Sequence, residues 1–188
     1  MENRQINLRL SLVTAMILLA AFSRVIPHMP NFSPLGVIGL FGAAHLNKKW
    51  QAFVIPITAT WLSDLFIDNV IYAQYYPTFT WFYDGFYWQY GSYSLIALSG
   101  LIIFKKVNAQ RVLGGALAST TIFFLISNFG SWIGSNFYPQ TFEGLITCYE
   151  AGIPFLKGTV LGDLFYSIIL FSSFGIAQKK LPSLDRSQ

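Results

Sequence analysis

The feature that most constrains the fold is a succession of long apolar runs that contain almost no charge. The first run covers residues 6–22 and the second covers residues 35–46, with a proline-rich stretch between them. Only 11% of the 188 residues are charged, and the mean hydropathy is +0.50. A soluble domain carries roughly 25% charged residues. Lipid must therefore cover much of this chain, and we predict an all-α protein that spans a lipid bilayer several times.

The apolar segments predict a single domain over residues 1–188, built from six transmembrane helices. A helix needs about 20 apolar residues to cross the hydrocarbon, and fewer where neighbouring helices shelter it. The second helix is short and rich in glycine, so we expect it to pack inside the bundle. Residues 134–154, which include Cys148, are predicted to be a loop. The predicted helices cover about residues 7–26, 34–47, 50–68, 87–104, 112–133 and 155–177.

Basic residues are distributed unevenly between the two sides of this predicted bundle. Ten of the twelve Lys and Arg residues fall on the side of both termini, and only Arg24 and Lys157 fall on the other. Cytoplasmic loops are enriched in Lys and Arg, so both termini are predicted to be cytoplasmic. The basic residues form short clusters at helix ends, and the net charge of +4 therefore does not predict nucleic-acid binding. The ten residues are Arg4, Arg9, Lys48, Lys49, Lys105, Lys106, Arg111, Lys179, Lys180 and Arg186.

Three ionisable residues fall inside predicted helices near the outer membrane surface. A rise of about 1.5 Å per residue places Arg24, Asp64 and Asp163 in the outer third of the bilayer, on three different helices. A charge that faces lipid is costly, so each should point into the bundle and find a partner. Arg24 could pair with Asp64, with Asp163 or with both. The cluster either clamps the helices in a structural or assembly protein, or forms the floor of a cavity open to the outside.

Other polar and aromatic residues lie on the same predicted outer side. Prolines at 27, 30 and 34 stop any helix in a loop that contains His28. Residues 70–93 carry twelve aromatic rings, more than an interfacial aromatic belt requires. An apolar pocket with a few converging polar groups is typical of a small-molecule site. We therefore predict an outward-facing aromatic cavity that binds a small molecule through Arg24, His28, Asn31, Asp64, Tyr83, Asp84, Trp88, Asn128 and Asp163.

Motifs for catalysis or nucleotide hydrolysis are absent from the sequence. It contains no HExxH, no GxSxG and no phosphate-binding loop, so we expect neither an enzyme nor a bound cofactor. The single cysteine, Cys148, allows no internal disulfide and no multi-cysteine metal site, and we predict no metal site. Active transport by this chain would need a partner or an ion gradient.

Seven short motifs occur along the chain, RVIPHMPNFSPLG at 24–36, GLFGAA at 39–44, WLSDL at 61–65, SNFG at 127–130, TCY at 147–149, IPF at 153–155 and LGDL at 161–164. Together they resemble those of a bacterial family of integral membrane proteins. That family is similar to the substrate-binding S components of energy-coupling factor (ECF) transporters, which take up vitamins. The resemblance implies a six-helix protein of the bacterial cytoplasmic membrane that binds a vitamin or a metal ion near its outer face. It also implies partners, namely an ECF transmembrane T component and two ATPase subunits. The resemblance covers nearly the whole chain.

The resemblance leaves the substrate open. The His28 loop and Asp64 are similar to those of solitary cobalamin S components, which use a cysteine near the start of helix 4 to ligate cobalt. Residues 72–93 contain no cysteine, so cobalt–thiolate chemistry is not expected here. His28 could still be an imidazole ligand, and the aromatic segment could cover a flat ring system. The expected partner is a vitamin-like small molecule, with a corrinoid as one candidate.

Overall fold

The chain folds into helices and connecting turns over the residues that the computed structural model describes, 2–134 and 136–184. Short 3₁₀ and π segments follow some of the α-helices. This part of the chain contains no β-strand, so the predicted all-α class is confirmed for it. The six α-helices are α1 Glu2–Phe22, α2 Leu35–His45, α3 Gln51–Phe66, α4 Phe86–Ile103, α5 Ala109–Gly134 and α6 Phe142–Lys180.

Four helical segments are long and apolar enough to cross a membrane, which identifies a membrane protein. α2 is apolar but has only 11 residues, and α4 has 18. A helix of 11 residues is about 16 Å long, which is short of the roughly 30 Å of bilayer hydrocarbon. The predicted number of six transmembrane spans therefore stays a prediction. The four segments are Asn7–Val25, Gln51–Ile71, Ala109–Gly134 and Phe142–Lys180.

α2 forms the centre of the bundle. All its residues, Leu35–His45, are buried, and it contacts each of the other five α-helices. Ile38 and Phe41 are fully inaccessible to solvent, and Phe41 packs edge-on against Phe171 and Phe174 of α6. Helices in a membrane associate through close packing, for which the small residues of α2 are suited. The prediction that the second helix lies inside the bundle is confirmed.

α3 continues past its predicted end at residue 68. A π turn, Ile67–Ile71, extends the helix, and the amide of Tyr72 donates to the Ile67 carbonyl at 2.8 Å. Within this turn the Asn69 side chain donates to the Thr80 carbonyl at 2.8 Å and accepts from the Thr80 amide at 2.7 Å. This pair of hydrogen bonds holds the following aromatic segment against the end of α3.

α6 differs most from its prediction, because it begins at Phe142 and not at residue 155. The Thr141 side chain accepts from the Gly144 amide at 3.2 Å, which caps the helix inside the predicted loop. Cys148 Sγ then donates to the Asn128 carbonyl of α5 at 3.3 Å. Pro154 lies inside the helix and removes only one backbone donor, so packing against α5 is enough to keep the helix continuous. The predicted loop at 134–154 was wrong for residues 142–154.

Two other helices also begin earlier than predicted. α1 starts at Glu2 and not at residue 7, because polar residues extend the helix beyond its apolar part. α5 starts at Ala109 and not at residue 112, because the Asn108 side chain accepts from the Arg111 amide at 2.9 Å. For α4 the predicted bounds, 87–104, are within one residue of the observed Phe86–Ile103.

The molecule has two ends of opposite charge. The acidic end carries five of the six acidic side chains that the structure describes, and the sixth, Asp163, lies deeper, near the middle of α6. The five are Asp64, Asp68, Asp84, Glu143 and Glu150. The basic end carries the turns after α2 and α4 and the end of α6, with their lysines. Arg9 of α1 joins these parts, because it donates to the carbonyls of His45 and Leu184, both at 2.7 Å. The Arg4 side chain and Arg186 lie outside the described residues.

Candidate functional site

Arg24 and Asp64 form an ion pair at the acidic end. Arg24 lies in the 3₁₀ turn Ser23–Val25 that follows α1, and its Nη1 donates to Asp64 Oδ1 at 2.6 Å and to Ser63 Oγ at 3.0 Å. Tyr90 of α4 donates its hydroxyl to Asp64 Oδ2, also at 2.6 Å. The side chains of Arg24 and Asp64 are 19% and 8% exposed. Of the two predicted acids, Asp64 is therefore the partner of Arg24.

Asp163 of α6 is buried and lies apart from this ion pair. Thr120 of α5 donates its hydroxyl to Asp163 Oδ2 at 2.8 Å. The other carboxylate oxygen, Oδ1, lies near Gly36, where an added Cβ would be 3.1 Å away. Among the residues that the structure describes, no Lys or Arg side chain forms an ion pair with Asp163. The predicted pairing of Arg24 with Asp163 is not observed.

A cavity of about 170 Å³, which we call the Arg24 cavity, lies between these two charged groups. Arg24 and Asp163 both line it, with residues of the proline-rich loop and the start of α2. Three helices each contribute two residues spaced four apart, which places both on one helix face. These pairs are Gln89 and Tyr93 of α4, Ser119 and Phe123 of α5, and Thr159 and Asp163 of α6. The cavity is therefore lined by polar groups of both charge signs and by two aromatic rings.

The proline-rich loop at 26–34 packs closely on α6 and closes one side of this cavity. An added Cβ at Gly158 would overlap the Pro30 carbonyl oxygen, and one at Gly162 would lie 2.7 Å from the Ser33 amide nitrogen. These two glycines are four residues apart, so one glycine-lined face of α6 admits the loop backbone. Asn31 has a positive φ of 60°, a conformation that Asn tolerates better than most residues.

Four of the nine predicted site residues line the Arg24 cavity, namely Arg24, His28, Asn31 and Asp163. His28 is exposed, and its Nδ1 lies 2.6 Å from the Ile26 carbonyl oxygen. Asp64 does not line this cavity, but its ion pair with Arg24 fixes the position of the guanidinium that does. The remaining four predicted residues lie elsewhere at the acidic end.

Two further cavities hold three of those four residues. Asn128 lines a second cavity of about 190 Å³, which shares Asn31, Gln89, Phe123 and Thr159 with the Arg24 cavity. Asp84 and Trp88 line a third cavity of about 630 Å³ between α4 and α5. Gln89 contributes to all three cavities. The predicted residues therefore surround a chain of adjacent cavities and do not line a single one.

The aromatic segment contributes less to these cavities than its composition predicts. Tyr83 is half-buried but lines none of the three, and burial, with Tyr93 and Asp64 nearby, raises the pKa of its hydroxyl. Trp81 stacks on Trp61 at 6.4 Å, and the Trp61 indole donates to the Trp81 carbonyl at 3.2 Å. Most rings before α4 are exposed, including Tyr75, Phe79, Trp81 and Phe82. These exposed rings form the surface of the acidic end.

Several polar residues of the Arg24 cavity and its support are not among the predicted site residues. Gln89, Ser119 and Thr159 line the cavity, Thr120 holds Asp163, and Tyr90 holds Asp64. Such residues are costly inside a membrane helix unless they face a partner or a cavity. A search for polar residues four positions from an aromatic or acidic residue would have found three of them, because each helix presents such a pair.

These features define a class: an all-helical membrane protein whose helix bundle contains a polar cavity lined by both a basic and an acidic side chain. The chain belongs to the family of unknown function DUF6580, whose sequence model matches residues 4–184. No curated protein and no solved structure matches the chain.

Proposed function

We propose that this protein is the substrate-binding subunit of a vitamin or micronutrient uptake transporter, similar to an ECF S component. The observation that carries the proposal is the Arg24 cavity, in which a guanidinium and a carboxylate from different helices face one small space. In this proposal the acidic end faces outside and captures the substrate. The protein spans the bacterial cytoplasmic membrane six times and has both termini in the cytoplasm.

The polar groups of the cavity determine which substrates it can hold. Arg24 uses Nη1 for Asp64 and Ser63, so its other N–H groups are available to an oxygen acceptor on a ligand. The Asp163 carboxylate lines the cavity and can accept from a ligand N–H or O–H, while Thr120 donates to its Oδ2. The rings of Tyr93 and Phe123 stack at 5.8 Å and 3° beside the cavity and offer apolar contact. A small heterocycle with an acidic or carbonyl oxygen and an N–H donor has this complementary pattern.

The volume of the cavity supports a small substrate. Ligand pockets commonly enclose about 300–1,000 Å³. The Arg24 cavity and the adjoining Asn128 cavity enclose about 170 and 190 Å³ and share four lining residues. Together they suit a molecule with one or two rings. The four-ring macrocycle of a corrinoid is too large for this space, so a corrinoid is the less favoured substrate.

Energy for uptake would come from other subunits. The sequence has no phosphate-binding loop, so the chain would depend on an ECF T component and its ATPases. Purification of the tagged chain from its native host tests this part of the proposal: co-purification of a nucleotide-hydrolysing pair supports it. Recovery of the chain alone with full uptake activity contradicts it.

Ligand-dependent stabilisation tests the binding function directly. A panel of water-soluble vitamins is added to the purified protein in detergent, and the unfolding temperature is recorded. A ligand at a hundred times its dissociation constant stabilises the folded state by about 2.7 kcal/mol. We expect one panel member to act in this way, and Asp163→Asn to abolish its effect. Glu150→Gln is the matched control, because Glu150 is an exposed acid at the same end.

The alternative function is a structural role in which the buried charges only clamp the helices. The observation in its favour is that both carboxylate oxygens of Asp64 accept a hydrogen bond from the protein, one from Arg24 and one from Tyr90, as a clamp would require. A clamp predicts that Asp64→Asn lowers stability while no panel member stabilises any variant. A clamp does not require Asp163 to face a cavity. Loss of ligand-dependent stabilisation in Asp163→Asn would therefore favour the binding function over the structural role.

A further inference from the structure

The basic end contains a cavity of about 420 Å³ between α1, α2, the turn after α4 and α6. Lys105 and Lys106 form part of its wall, with Arg9 and His45 deeper inside. Both lysines are exposed, whereas Arg9 is only 4% exposed. Among the residues that the structure describes, no Asp or Glu side chain lines this cavity. The two exposed lysines therefore give this wall of the cavity a positive potential that an anion would neutralise.

An apolar groove of about 380 Å³ continues from this cavity between α5 and α6. Val107 and Phe171 line both spaces, so the two are adjacent. The groove extends along α6 from Phe171 to Leu164, a distance of about 10 Å at 1.5 Å per residue. Leu113 and Ile168, which line it, are exposed side chains on membrane-spanning helices. The groove is therefore open to the lipid.

We infer that this surface is a binding site for an anionic phospholipid, with the phosphate beside Lys105 and Lys106 and one acyl chain in the α5–α6 groove. Charge complementarity selects the headgroup, and the adjoining groove selects a molecule that carries an acyl chain. Basic pockets next to membrane helices are known to bind acidic lipid headgroups, and each lysine near the surface contributes about 1 kcal/mol. A free phosphate ion would leave the groove empty, and a zwitterionic lipid would leave the charge uncompensated.

The site is tested by native mass spectrometry of the purified full chain in detergent, which counts bound lipid molecules. Phosphatidylglycerol and phosphatidylcholine with the same acyl chains are titrated in parallel, and glycerol 3-phosphate serves as the free headgroup. We expect phosphatidylglycerol to bind in preference to phosphatidylcholine, and glycerol 3-phosphate not to bind. Lys105→Gln with Lys106→Gln should weaken phosphatidylglycerol binding by roughly fivefold for each lysine removed.

The matched control is Lys48→Gln with Lys49→Gln, because these exposed lysines lie at the same end but do not line the cavity. Retained binding in this control supports the assignment to Lys105 and Lys106. An equal loss in both double variants would overturn it, as general attraction to the basic end would then explain the binding. Equal binding of the two lipids, or binding of glycerol 3-phosphate as tight as that of the lipid, would overturn it as well. None of these outcomes depends on the proposed transport function.

Discussion

The Asp64→Asn substitution measures what the ion pair at the acidic end contributes to stability. Asn has nearly the shape of Asp and can still accept a hydrogen bond from Tyr90. It removes the negative charge beside Arg24, whose side chain is only 19% exposed. Arg24 Nη1 has two acceptors, Asp64 Oδ1 and Ser63 Oγ. After the substitution, Ser63 Oγ at 3.0 Å is the one that remains. The substitution therefore leaves a positive charge largely buried without its counter-ion.

Removal of one partner from a buried ion pair costs about 3–5 kcal/mol. The partial exposure of Arg24 favours the lower value, about 3 kcal/mol. A chain of this size loses roughly 2–4 °C of unfolding temperature per kcal/mol, so we expect a decrease of roughly 6–12 °C. The double variant Arg24→Met with Asp64→Leu removes both charges and should recover most of this loss, because no charge is left without a partner.

Cys148 supplies the assay, because it is the single cysteine of the chain and is 2% exposed. A thiol-reactive fluorogenic dye stays dark until unfolding exposes this side chain, so fluorescence during a temperature ramp reports the unfolding of the detergent-solubilised protein. The control variant Glu150→Gln removes an exposed acid from α6, the helix that carries Cys148, and should leave the unfolding temperature unchanged. An Asp64→Asn transition within 1–2 °C of the unmodified protein, or a double variant that loses as much as the single, would refute the reasoning.

Three other substitutions test separate parts of the structure with the same dye assay. Thr120→Val removes the hydrogen bond to Asp163 while keeping the side-chain shape, and should cost about 1.5–3 kcal/mol. Thr141→Ala removes the cap of α6 at Gly144 and should cost about 1 kcal/mol. Burial raises the pKa of the Tyr83 hydroxyl in the folded state above its unfolded value of about 10. The contribution of this neutral hydroxyl to stability is therefore complete below about pH 10 and is lost as the pH rises further. Tyr83→Phe should therefore reduce the loss of stability between pH 9 and pH 11.

Much of the fold follows from apolar runs and prolines. The position of α2 at the centre was predictable because a short, glycine-rich helix is suited to the interior and poorly suited to lipid. The start of α6 was not predictable from Pro154, because the loss of one backbone donor competes with packing of Cys148 and Tyr149 on α5. Only the tertiary structure shows that the packing prevails. The same applies to the π turn after α3, which depends on a hydrogen bond between Asn69 and a residue eleven positions away.

The candidate site was predictable in its charges but not in its shape. Depth counting placed Arg24, Asp64 and Asp163 at one level, yet it could not assign the partner of Arg24. The structure assigns Asp64 because α3 and α4 bring Ser63 and Tyr90 to the same place. The abundance of rings at 70–93 suggested an aromatic cavity, but aromatic side chains also suit an exposed membrane interface. Composition alone does not distinguish these two environments.

α5 and α6 form walls of both proposed sites, and this predicts that the two sites are coupled. Asp163 of α6 faces the Arg24 cavity, while the next residue, Leu164, faces the lipid groove. A lipid that separates α5 from α6 would therefore also move Thr120 relative to the carboxylate that it holds at 2.8 Å. Linkage requires that phosphatidylglycerol change the affinity for the vitamin by the same factor by which the vitamin changes the affinity for phosphatidylglycerol. Titrations of each ligand in the presence and absence of the other measure this factor. A factor of one in both directions would show that the α5–α6 interface is rigid and that the two sites bind independently.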